Sequence, residues 1–249
     1  VLTAAALVGV VALGGGAYAY PALAAPICPP CYGMEAAAPR VIVDRAMPAP
    51  QRADLLRDAA AARTEVQAFY GAFERIPFLV ACSTEDCDRR MGGRGARAVT
   101  LSTPLATVIQ ASPRGLNPVI LTHEFSHVEL HRRIGVWALL SGAFPAWFDE
   151  GVAVLLSGDE RYLKPGAAPA ERCVRQTDAP LPADPSDWNV RAGKEPMIYA
   201  DAVCRVLQWM AANGGKDGVM RTLEAVAGGA AFAPENGRGE GPAQRAERS

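Results

Sequence analysis

Apolar and polar positions are unevenly distributed along this chain. Residues 1–34 carry no charged side chain, and Val1–Ala25 is almost wholly apolar or small. Beyond them the pattern breaks into short periodic segments. Arg52 to Tyr70 mixes Ala and Leu with charged residues and stops at Gly71, which predicts a long helix. Val41-Ile42-Val43, Pro77–Cys82 and Ala98–Ser102 are short apolar or alternating runs that predict strands. Pro104–Ser112 predicts a further strand, bounded by Pro104 and Pro113-Arg114-Gly115. Gly92, Gly93 and Gly95 mark a turn and lack the framework of a phosphate loop. Asn117-Pro118 opens a helix whose apolar positions Val119, Ile120, Leu121, Phe125, Val128 and Leu130 would bury it, and Pro145 opens another that is apolar through Leu156. Pro165–Pro185 is rich in Pro and Ala and predicts an irregular segment, either a plain surface loop or a wall beside a site. Helices are expected at Met197–Ala212 and Gly218–Ala227, and from Pro234 onward no periodicity remains.

These elements predict an α+β fold, a small domain with a few-stranded sheet packed on a helix pair and additional C-terminal helices. The expected organisation is a signal peptide or membrane anchor over 1–25, a Cys-, Pro- and Ala-rich linker over 26–50, a folded domain over 51–230 and a disordered tail over 231–249. No internal repeat is visible.

The chemistry concentrates in one window. All three histidines of the chain, His123, His127 and His131, fall within nine residues, and the first two frame His123-Glu124-Phe125-Ser126-His127. Positions four apart on a helix share a face, so His123 and His127 can present two imidazole nitrogens to one metal ion with Glu124 beside it. A catalytic zinc takes three protein ligands and keeps a fourth position for water, so one ligand is missing. His131 lies ~80° round the helix from His123 and further along its axis. The pattern that uses a third histidine in metzincins needs Gly and His where this chain has Leu130 and Arg133, which makes His131 a poor ligand. Glu150, one turn into the second helix, is the better candidate.

The pairing of His123-Glu124-x-x-His127 with Trp147-x-x-Glu150-Gly151-x-Ala153 resembles the gluzincin metallopeptidases, especially the small peptidase-MA-like group, over roughly residues 105–225. The resemblance implies a Zn²⁺ cofactor held by His123, His127 and Glu150, with Glu124 as general base in an endopeptidase acting on peptide or protein substrates. It also implies a sheet-edge strand near the metal, here within Pro104–Ser112, although an interior strand fits the sequence equally. A Tyr following the ligand helix often faces the metal in such proteins, which nominates Tyr199 as oxyanion donor against the alternative of a core tyrosine, with Arg205 as a weaker candidate. The chain departs from the pattern at Asp149, often Asn, and at Val154, where thermolysin-like enzymes place an Asp that orients the first histidine. No Gly-x-Met-Glu-Asn segment is present, which disfavours an exopeptidase.

Composition adds location. A net charge of −1 points to no nucleic-acid partner. Val1–Leu13 with Ala17-Tyr18-Ala19 or Leu23-Ala24-Ala25 fits a cleaved secretory signal, while the same stretch is just long enough for a membrane anchor; either places the folded part outside the cytoplasm, periplasmic or extracellular. Six cysteines, an even number, fit disulfides in an oxidising compartment, with Cys82–Cys87 and Cys173–Cys204 as plausible pairs and Cys28/Cys31 as a local clip. Two further readings stand beside the peptidase: a non-catalytic exported zinc-binding module with the same fold, and a thiol oxidoreductase using Cys28 and Cys31.

Overall fold

The computed structural model describes residues 20–104, 106–166, 169–175 and 179–233. The fold is mixed α+β and divides into two compact units, residues 1–129 and 130–249. Of the stretch expected as a signal peptide or membrane anchor over 1–25, residues 1–19 lie outside the described residues, as do residues 234–249 of the expected tail over 231–249.

The first unit is built on a five-stranded sheet. Its strands are β1 (Met34–Ala38), β2 (Val41–Asp44), β3 (Phe78–Ala81), β4 (Ala98–Ser102) and β5 (Thr107–Ala111), in the order β1-β2-β3-β5-β4. The central pairs β2–β3 and β3–β5 are parallel, and the outer pairs β1–β2 and β4–β5 are antiparallel. Every residue of β2 is buried, as a strand covered on both faces requires. The segment expected as a linker is therefore part of the core: its apolar Val41–Val43 run is the inner neighbour of β3. The strand expected within Pro104–Ser112 is also interior. The edge belongs to β4, and only pairing at both sides of β5 reveals it.

The first described residues are part of the packed sheet unit. Helix α1 (Pro21–Ala24) buries Ala22 and Ala25 in a cluster with Met34, Ile42, Val80, Cys82, Cys87, Met91 and Val108. The long helix α2 (Ala49–Tyr70) runs as expected to Gly71, whose φ of 90° lets the chain leave the helix. A short helix α3 (Glu85–Arg90) starts at Thr84, whose hydroxyl accepts the Cys87 amide at 3.2 Å. The glycine turn after it has a packing reason. A Cβ on Gly93 would stand 2.1 Å from the Asp88 carboxylate, which accepts a hydrogen bond from Gln110 Nε2 at 3.1 Å.

Helix α4 (Pro118–Ile134) carries the histidines. Asn117 caps it, its side-chain oxygen accepting the Ile120 amide at 3.1 Å.

The second unit is helical: α5 (Val136–Leu140), α6 (Ala146–Ser157), α7 (Pro185–Ala192), α8 (Ile198–Asn213) and α9 (Gly215–Ala227). Helices α6 and α8 pack antiparallel. Phe148 meets Trp209 at a ring separation of 4.9 Å, Gly151 lies against Ala202 and Val206, and beyond the end of α6 Tyr162 stacks on Tyr199. Phe144, Trp147 and Phe232 complete an aromatic cluster around Phe148.

All six cysteines are paired, Cys28–Cys31, Cys82–Cys87 and Cys173–Cys204, which fits an oxidising, exported environment. Among the described residues no helix is long and apolar enough to cross a membrane.

Candidate metal centre

The i, i+4 spacing does on α4 what helix geometry requires. His123 Nε2 and His127 Nε2 face each other at 3.1 Å, with the rings nearly perpendicular. Two nitrogens bound to one tetrahedral zinc at ~2.0–2.1 Å stand ~3.3 Å apart, so this separation fits a shared ion. His123, His127 and Glu150 each offer a ligand atom, and these atoms lie within 4.8 Å of one another. Two imidazoles and a carboxylate are a donor set suited to zinc and other divalent first-row ions. These residues could hold a metal ion.

Glu150 is presented by the first turns of α6, which has no side-chain cap at Pro145. Backbone carbonyls replace it. Ala183 accepts the Ala146 amide at 2.8 Å and Pro182 accepts that of Trp147 at 3.3 Å, so the irregular segment before α7 fixes the N-terminus of the helix. That segment is itself tied down by the Cys173–Cys204 disulfide and by Arg175, whose Nε donates to buried Asp201 at 2.6 Å. The Arg175 guanidinium is held above its ordinary pKa chiefly by that hydrogen bond. The described parts of this irregular segment are thus pinned to α8 and to the start of α6.

Among the described residues, two other residue groups have metal-like composition. His127, His131 and Asp149 also bring ligand atoms within 4.8 Å of one another. There His131 Nε2 and Asp149 Oδ2 are 2.7 Å apart, so His131 acts on the residue preceding Glu150. That contact gives the departure at Asp149 a role: its carboxylate joins the end of α4 to the start of α6. The third group, Asp44, Cys82 and Cys87, carries no site, because the cysteines form a disulfide and Asp44 accepts from the Ser83 hydroxyl at 2.9 Å.

Glu124 is buried, and a residue that the sequence reading missed holds it. Thr100 Oγ1, on the edge strand β4, lies 2.8 Å from Glu124 Oε2 and 3.1 Å from the Glu124 carbonyl oxygen. A threonine in a short strand gives no sequence signal of this kind.

Tyr199 packs among aromatic side chains. Its ring stacks on Tyr162 at 5.2 Å and takes the edge of Trp188 at 5.2 Å, beside Val154, Leu163 and Cys173. In the antiparallel register Glu150 is level with the part of α8 near Arg205, and Tyr199 lies about 9 Å along the axis from there. Tyr199 packs at the far end of α6, and Arg205 Nη2 donates to the Ala179 carbonyl at 3.4 Å. Neither joins the ligand group. The same holds for Cys28-Pro29-Pro30-Cys31, which forms a disulfide across a 3-10 turn leading into β1, without the helix that thioredoxin chemistry uses.

No protein-family model matches this chain, and no curated protein or solved structure is significantly similar to it.

Proposed function

We propose that the chain is an exported zinc-dependent endopeptidase of gluzincin type. The observation that carries this reading is the convergence of His123 Nε2 and His127 Nε2 at 3.1 Å, with Glu150 in the same ligand group. His123, His127 and Glu150 would hold the ion, which would supply Lewis-acid polarisation of a peptide carbonyl and activation of water at the site. Glu124 supplies the proton transfers. Its carboxylate takes a proton from the attacking water and returns it to the leaving amine. His131 and Asp149 support the start of α6 and thereby the position of Glu150. Among the described residues β4 pairs only with β5, so its other edge can receive an extended peptide by backbone hydrogen bonding.

The test combines metal analysis with hydrolysis of unfolded casein. Wild-type protein is expected to bind one equivalent of zinc and to cut the casein internally. Glu124→Gln should keep the zinc and lose at least ~100-fold in rate, while Glu150→Gln should lose zinc affinity. Full zinc loading with no cleavage of any unfolded substrate would instead favour a non-catalytic zinc-binding module. Protein that binds no zinc would remove both readings.

A further inference from the structure

Strand β4 aims one side chain at the base of the proposed reaction. Thr100 pairs opposite Ile109 across the β4–β5 ladder, while its neighbour Leu101 points to the other face and packs on the cluster around Met34 and Val80. Alternation along the strand therefore turns the Thr100 hydroxyl toward α4. That hydroxyl has one hydrogen and two acceptors within reach, Glu124 Oε2 at 2.8 Å and the Glu124 carbonyl at 3.1 Å. The carboxylate takes it, since a charged acceptor makes the shorter and stronger bond. Glu124 Oε1 has no protein hydrogen bond among the described residues.

We infer that Thr100 is a positioning residue for Glu124: it fixes Oε2 and leaves Oε1 to the attacking water. The inference rests on the peptidase reading above. A glutamate has three freely rotating torsions, and a base misplaced by an ångström or so loses much of its effect. The edge strand supplies a rigid anchor point that α4 itself does not contain. Because β4 is also the outermost strand of the sheet among the described residues, the strand proposed to receive an extended substrate and the anchor of the base are the same element.

The experiment compares Thr100→Val, which keeps the β-branched shape and removes the hydroxyl, with Thr100→Ser, which restores it. On casein, Thr100→Val should lower kcat about 10- to 100-fold with KM within about threefold, and Thr100→Ser should stay close to wild type. Zinc content should remain one equivalent in both. A second readout uses the cobalt-substituted protein and acetohydroxamate, whose N–OH group donates to a carboxylate beside the metal. Its dissociation constant, read from the visible cobalt spectrum, should rise about tenfold in Thr100→Val and not in Thr100→Ser. Active wild type with Thr100→Val unchanged in kcat and in hydroxamate affinity overturns the Thr100 assignment alone. Equal losses in Val and Ser variants would show a structural role and overturn it too. Should Thr100→Val fail to fold, Thr100→Ala is measured in its place with the same outcomes. Wild type that binds zinc yet neither cleaves casein nor binds hydroxamate removes the peptidase reading, and the role of Thr100 with it.

Discussion

Gly151→Ala separates two physical effects that have opposite signs. Gly151 sits inside α6, immediately after Glu150, and an alanine there is favoured by helix propensity by about 1 kcal/mol. Packing opposes it. A Cβ at this position would meet Val206 Cγ2 at 2.6 Å, the Ala202 carbonyl oxygen at 2.7 Å and its carbon at 2.9 Å. Ordinary contact for these pairs is roughly 3.4–4 Å, so either α8 moves by about half an ångström or more, or α6 does. The valine can rotate, but the Ala202 backbone is held in α8. Overpacking of this kind costs about 1–3 kcal/mol, and a contact with backbone belongs to the upper part of that range. The difference leaves a net destabilisation of about 1–2 kcal/mol, or a fall in Tm of about 2–8 °C for a chain of this length. Thermal unfolding of the disulfide-intact protein measures it. A rise in Tm would mean that propensity wins and that the α6–α8 approach is looser than described, and it would refute the reasoning. Zinc titration of the same variant adds a second reading, since a shift of α6 displaces Glu150 and should weaken metal binding.

The pinned segment and the caps give further expectations. Arg175→Leu removes the partner of buried Asp201; because the Arg175 side chain is 49 % exposed, water screens part of the pair and the expected loss is about 1–3 kcal/mol in chemical denaturation, with no loss meaning that Asp201 is stable unpaired. Asp184 caps α7, and hydrogen bonds from the Ser186 hydroxyl and then from the Asp187 and Ser186 amides hold its carboxyl below the usual value. A depressed folded pKa contributes stability above the unfolded value of ~3.9 that is lost as pH falls through the folded one, so Asp184→Ala should lower Tm at pH 7 and the gap should close below about pH 4. A gap that stays constant down to pH 2.5 would contradict it. His131→Ala should weaken zinc binding without abolishing it, because it releases Asp149 and not a ligand; zinc affinity equal to wild type would show that the His131–Asp149 contact does not reach Glu150.

The α+β class and most elements were legible in the sequence because their signals are local. Periodicity and end residues marked α2, α4, α6 and α8, and Asn117-Pro118 marked the start of α4 in the chain itself. Short helices α3, α5 and α7 fall below the length at which a period can be read. The apparent linker misled for a different reason. Pro and Ala carry little pattern, yet Val41–Val43 enters the sheet beside β3, and pairing between distant strands has no signature in either strand.

The candidate site divides along the same line. Spacing alone put His123, Glu124 and His127 on one helix, since an i, i+4 relation is a property of the helix and needs no tertiary contact. The resemblance nominated Glu150 and also Tyr199. Packing places each of them: the antiparallel register of α6 and α8 leaves Tyr199 against Tyr162 and Trp188, and Glu150 falls in a ligand group with the two histidines. Tertiary structure likewise decided that β4 is the edge, that Thr100 reaches Glu124, that His131 meets Asp149 and that Gly151 makes room for α8. Each of these joins residues far apart in the chain, and a sequence specifies such contacts only through the fold as a whole.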